Sequence, residues 1–205
     1  MSIKTTMALW LSLAMLTLAG CASAPVHYVS TDVDFSFIRS AAVVPFQNLS
    51  SDRFAAQRME SVFLSELLSY DGLDIIDPGE VLKAWSDLRF RANAVLSADQ
   101  VMALGERLGV DAIFTGSVEE YGLERLGGNK TYTITAVFGL AETTSGSVIW
   151  SAQVNTDGSS LWQKLFGGQP TSLYKVSRDA IRQALDTLLD PSGDSSGRQD
   201  RDSSR

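Results

Sequence analysis

The chain has 205 residues, 44% of them hydrophobic and 20% charged, and a formal net charge of -7. That length suits one domain with a sizeable core, and the acidic balance lacks the clustered Lys and Arg that nucleic acid demands, so no nucleic-acid partner is expected. Cys21 and His27 are the only residues of their types, which excludes an intramolecular disulfide, a cysteine zinc site, a Ser-His-Asp triad in the folded body and a histidine-rich metal site; neither a metal nor a cofactor is expected.

At the amino terminus Lys4 supplies a positive start, and Met7 to Leu18 an apolar run too short for a stable membrane span. Leu18-Ala19-Gly20-Cys21 closes it. This run resembles the lipobox of bacterial lipoproteins. The resemblance implies that residues 1–20 are a signal peptide removed on export, and that Cys21 carries a thioether-linked lipid and an acylated amino group. Several acyl chains, at about 0.8 kcal/mol per buried methylene, make such an anchor effectively permanent. Ala22 is compatible with delivery to the outer membrane. The alternative is an ordinary secretory signal that leaves Cys21 as a spare thiol. Residues 21–36 show no clear period and are read as a lipidated tether, in which His27 is a solvated linker residue.

From there the pattern is α/β. Ala41 to Phe46 is a continuous apolar run, as expected of a strand buried on both faces, with Pro45 near its end. From Arg53 to Tyr70 the apolar residues Ala55, Met59, Val62, Phe63, Leu67 and Leu68 recur at spacings of three and four, which predicts a helix that Asp71-Gly72 stops. Leu73 to Ile76 reads as a short strand. Asp77-Pro78-Gly79-Glu80 opens a second helix with Val81, Leu82, Trp85 and Leu88 on its apolar face. Ser97-Ala98-Asp99-Gln100 opens a third, with Val101, Leu104 and Leu108 buried and Gly109 at its end. Right-handed crossovers between such elements give parallel strands.

The second half reads as an antiparallel meander. Asp111 to Tyr121 is a strand, and Gly127-Gly128-Asn129 turns the chain into Thr131 to Leu140, where Tyr132, Ile134, Ala136, Phe138 and Leu140 alternate with a threonine-rich face. Ser145-Gly146 turns it again into Ser147 to Asn155, with Val148, Trp150, Ala152 and Val154 on one face. A last helix from Ser172 to Leu189 has Tyr174, Val176, Ala180, Ile181, Ala184, Leu185 and Leu188 on its apolar side. The expected fold is α/β: a three-layer-like single domain over residues 37–189. Its mixed sheet has about five strands in the order β-α-β-α-α-β-β-β-α, parallel in the first half and antiparallel in the second. Residues 190–205 have no apolar member after Pro191 and are expected to be a disordered tail.

Three motifs carry a wider resemblance: Val43-Val44-Pro45-Phe46-Gln47-Asn48, then Gly109-Val110-Asp111-Ala112-Ile113-Phe114-Thr115-Gly116-Ser117-Val118, then Gly146-Ser147-Val148-Ile149-Trp150. In this order they are similar to a pattern in the amino-terminal domain of TolB, the CsgG secretion-channel lipoproteins and the LpoB-type activators of penicillin-binding proteins. The resemblance covers roughly Ser40 to Leu189 and implies a scaffold or assembly factor, with no catalytic residues to carry over. Packing also explains the motifs: Pro45 stops a strand, Asn48 and Ser50 favour a turn, Gly116 permits close approach and Trp150 fills a core gap.

Leu161-Trp162-Gln163-Lys164-Leu165-Phe166 places four large apolar side chains in an otherwise polar connection, on one side of a short helix. Two readings stand: a lid over the core, or an exposed patch for a protein or the membrane interface, with Trp162, Leu165 and Phe166 as partner contacts. Glu119-Glu120 and Glu124 offer the carboxylate pair that glycoside hydrolysis needs. Adjacent strand residues face opposite ways, however, and solvated acids at a sheet edge account for them, so no enzyme is expected.

These readings combine into an outer-membrane lipoprotein facing the periplasm, a non-enzymatic scaffold or accessory factor for cell-envelope assembly or export. The alternatives are a CsgG-like oligomeric channel component and an LpoB-like activator of a peptidoglycan synthase. A channel hairpin needs strands of about nine to eleven residues, and diverting this one to the membrane would strip the core sheet. A tether over residues 22–34 reaches no more than about 45 Å extended. The expected partners are therefore the membrane, through the lipid on Cys21, and envelope proteins at or near the outer membrane; self-association is left open.

Overall fold

The computed structural model describes residues 26–29, 37–126, 129–157 and 172–189. Cys21 with the signal segment, the tail 190–205, and Trp162, Leu165 and Phe166 lie outside the described residues. In chain order the elements are β1 (Val26–Val29), β2 (Ser40–Val43), β3 (Gln47–Asn48), α1 (Ala55–Leu67), β4 (Asp74–Ile75), α2 (Pro78–Asp87), α3 (Ala98–Leu108), β5 (Ala112–Leu126), β6 (Asn129–Glu142), β7 (Val148–Asp157) and α4 (Leu173–Leu189).

The strands form one mixed sheet in the order β1-β7-β6-β5-β2-β4, with β3 also paired to β5. The first half is parallel, as expected: β2 lies between β4 and β5, and β3 continues along β5. The second half, β5-β6-β7, is antiparallel. The sheet has seven strands rather than about five. One addition is β3, which follows β2 because Pro45 has no N–H to give the ladder and splits the run in two. The other is β1, inside the stretch read as tether, where Val26 pairs with Gln153 and Val29 with Trp150. Four residues show too little pattern to predict a strand, and it is the exposed edge of β7 that orders them.

Helices cover both faces of the sheet, giving three layers. Under α1 and α4 lies the larger core, where the Phe63 ring stacks on Phe138 at 5.1 Å and meets Phe46 and Phe114 edge-on, each at 5.4 Å. Trp150 continues the row, and its indole N–H donates to Thr187 Oγ1 at 3.0 Å. Gly116 admits the Phe46 ring, since a Cβ there would sit 2.8 Å from ring carbons. Under α2 and α3 the smaller core joins Val81, Ala84 and Trp85 to Val101, Leu104 and Ile113.

The capping signals are built as the spacing predicts. The Asp77 carboxylate accepts from the Gly79 amide at 2.7 Å, while Ser97 and Gln100 close a reciprocal capping box. Four apolar assignments differ. Leu68 lies beyond α1 and is exposed, Leu82 falls beside the narrow stripe of α2, and Tyr174 sits at the open end of α4. A register shift opposite Leu140 and Ala141 leaves Ile149 as an extra residue and turns Val148 outward.

Asp111 ties the parallel half together. Its Oδ2 accepts from the amides of Arg39 and Ser40 at 2.9 and 3.0 Å and from the Ser40 hydroxyl at 3.0 Å. The Arg39 amide, ahead of the Ser40 groups, holds its carboxyl below the usual range. Gly146 turns β6 into β7 with φ +71°, and a Cβ there would meet the Ala98 carbonyl oxygen at 2.5 Å.

Candidate functional site

One concave feature of the described surface is an open cleft of about 690 Å³, lined from α1 by Gln57, Arg58 and Ser61, from β5 by Tyr121, and by Phe54, Leu173 and Tyr174 at the helix starts. It exists because α1 and α4 run side by side in the same direction. Their carboxyl-terminal halves are clasped by Arg182 Nε donating to Glu66 Oε2 at 2.5 Å and by the Tyr70 hydroxyl donating to Asp186 at 2.6 Å. Their amino-terminal halves diverge, with Tyr121 as the floor.

Phe54 stands at the mouth, 41% exposed, held by cations. The guanidinium carbon of Arg53 lies 4.3 Å from its ring centroid and that of Arg58 lies 5.8 Å away. Asp52 fixes the turn beneath: it accepts from the Phe54 amide at 2.8 Å and from Arg58 Nη1 at 2.7 Å. The hydrogen bond from the Phe54 amide, foremost, draws the Asp52 carboxyl below its ordinary range; desolvation opposes it, and the charges of Arg58 and Arg53 assist. Across the cleft Tyr174 is 57% exposed.

The polar groups of the cleft are largely engaged within the protein. Its charged member, Arg58, is committed to Asp52, and the Ser61 and Ser65 hydroxyls donate to their own helix at the Gln57 and Ser61 carbonyls, both at 2.9 Å. What it offers a ligand is ring surface from Phe54, Tyr121 and Tyr174, with the side-chain amide of Gln57. Sequence reasoning missed these residues because the cleft joins positions more than a hundred apart. The available signal was Phe54, an aromatic flanked by Arg53 and Arg58 just before a helix.

Glu119 and Glu120 of β5 do not form a pair. The ladder shifts between Val118 and Glu120, so Glu119 is the extra residue of a bulge, and Glu120 instead accepts from the Thr135 hydroxyl at 2.8 Å. Both glutamates are exposed. Among the described residues no group of three or more His, Cys, Asp or Glu is placed to hold a metal ion. The positions of Cys21, Trp162, Leu165 and Phe166 lie outside the described residues; the chain resumes at Ser172, next to the cleft residues Leu173 and Tyr174.

No family model matches the chain, and no curated protein matches it. Solved structures do. The chain is similar to PelC from Paraburkholderia phytofirmans, solved as a dodecamer, with TM-score 0.53 and 18% identity over 82% of this chain and 99% of that one. It is similar to the lipoprotein GNA1162 from Neisseria meningitidis, with TM-score 0.51 and 22% identity over 72% of this chain and 98% of that one. The C-terminal domain of LpoB from Escherichia coli aligns with TM-score 0.44 and 11% identity over 71% and 94% of the two chains, a likeness too loose to build on. The fold is thus one that a solved bacterial lipoprotein also adopts.

Proposed function

We propose that this chain is an outer-membrane lipoprotein, anchored through Cys21 and facing the periplasm, that acts without catalysis as a scaffold or accessory factor for envelope assembly or export. The observation that carries this reading is the pairing of β1 with β7. It takes Val26–Val29 out of the expected tether, so the lipid and the sheet are separated by residues 22–25 alone. Five Cα steps span at most about 18 Å. A domain on so short a leash meets partners at its own membrane. An activator of an inner-membrane synthase would need a long arm, so the LpoB-like alternative loses ground.

The lipoprotein GNA1162 lends support to the anchor, and the dodecameric PelC lends support to self-association. Kinship with TolB and CsgG stays within the proposal. The channel alternative is weaker, because beyond the bulge β5 has only Glu119 to Leu126 to offer, short of the roughly nine to eleven residues of a membrane strand. Trp162, Leu165 and Phe166 are proposed as partner contacts. Photo-crosslinkers at Gln163 and Lys164 in living cells test this: capture of outer-membrane export or assembly proteins is expected, and capture of inner-membrane cell-wall synthases alone would overturn it. Cys21→Ser should leave the fold intact and release the protein from the membrane.

A further inference from the structure

The direction of β1 points the anchor at one end of the domain. β1 is antiparallel to β7, and β7 is antiparallel to β6, so the start of β1 points the same way as the start of β6. That is the end where β5 turns into β6. We infer that this hairpin end is the membrane-facing foot of the domain and rests on the lipid surface that holds the anchor; the inference depends on the lipid-anchor reading of Cys21.

The argument is one of lengths. Val26 lies opposite Gln153, which lies opposite Val137 of β6. From Val137, β6 runs on to Asn129, roughly eight residues at about 3.3 Å each, or about 26 Å. The chain from Val26 back to Cys21 spans at most about 18 Å. The hairpin therefore reaches farther toward the bilayer than the leash can hold it off, by about 8 Å. Doubling back does not help. Toward the other end, Val137 to Glu142 alone covers roughly 17 Å, before the turn at Ser145 and Gly146, so a reversed leash would be exhausted before clearing that end.

The hairpin also suits the place. Beyond the last β3 pair, at Val118, β5 has no strand on its outer side among the described residues. Leu123 stands there 48% exposed, an apolar side chain available to the headgroup boundary.

The test uses the full lipidated chain. Because Cys21 is its one cysteine and is occupied by lipid, an introduced thiol is unique. Leu123→Cys on the hairpin and Thr144→Cys at the opposite end of the sheet, both at exposed positions, are labelled with an environment-sensitive dye. Each protein is reconstituted into phosphatidylethanolamine/phosphatidylglycerol vesicles that contain a lipid spin-labelled near the headgroup. Matching thermal melts confirm that both variants fold.

Several-fold stronger quenching at position 123 than at 144 is expected. Equal quenching, or stronger quenching at 144, on protein that floats with the vesicles overturns the foot while leaving the anchor standing. Protein that does not float removes both. Shielding of the dye at 123 before vesicles are added assigns the hairpin to a second copy of the chain and also overturns the inference.

Discussion

On one face of the sheet, under α1 and α4, Phe46, Phe63, Phe114, Phe138 and Trp150 form a chain of ring contacts that crosses from the parallel strands to the antiparallel ones. On the other, α2 and α3 cover mainly the parallel strands, with small aliphatic residues around the Trp85 indole. Farther along that face β6 presents Thr131, Thr133 and Thr135, and the buried hydroxyls of Thr131 and Thr133 have no partner among the described residues. The aromatic layer unites the two halves of the sheet; the aliphatic layer secures one of them.

Five substitutions probe that division, in descending order of effect. Phe63→Ala removes the ring at the centre of the row and should cost about 3–5 kcal/mol in denaturant unfolding, with loss of one cooperative transition for the whole domain. Trp85→Ala, whose ring partner is Phe90 at 5.2 Å, should cost no more than about 3 kcal/mol. A larger loss there than at Phe63 would break the comparison. Gly146→Ala combines positive φ with contact against backbone at Ala98, and should cost about 1–3 kcal/mol by the same measurement. A cost near zero would mean that the turn moves freely away from α3.

The smallest effects are read against pH. The Asp111 carboxyl is lowered in the folded chain, so its contribution is complete above the unfolded value near about 3.9 and disappears as pH falls through the folded one. Asp111→Asn should therefore be destabilised at pH 7, and its deficit should close in acid. Glu60, on α1, accepts from the Phe46 amide at 3.1 Å, and burial raises its pKa. The sign reverses: the folded state holds this proton more tightly, so stability falls as pH climbs from the unfolded value to the folded one. Glu60→Gln should flatten that slope and slightly stabilise the domain at pH 7. Parallel acid profiles for the two variants would show that the two carboxyls do not act with opposite sign.

Elements that carry their own signals were legible. The stripe Ala55, Met59, Val62, Phe63 and Leu67 gave α1, the capping residues Asp77 and Ser97 gave the starts of α2 and α3, and alternation gave β6 with Ile134, Ala136 and Phe138 inward. β1 and β3 were not legible, since Val26–Val29 and Gln47–Asn48 are strands only because a neighbour offers unpaired backbone. Bulges were equally silent: one extra residue at Glu119 or Ile149 changes which side chains share a face, and no period announces it. The cleft belongs to the same class. Phe54 and Tyr174 are ordinary aromatics in the sequence, and the divergence of α1 and α4 makes them neighbours of one space.

The pairing of β1 with β7 also orders events in time. Val26 emerges first and Gln153 more than a hundred residues later, so β1 cannot find its place until nearly the whole domain is available. Closing so long a loop is slow relative to forming the helices and the β5-β6 hairpin. The amino-terminal strand is thus the last piece to zip, and on the proposed lipid anchor the chain around Cys21 would be processed while Val26–Val29 are still free of the sheet.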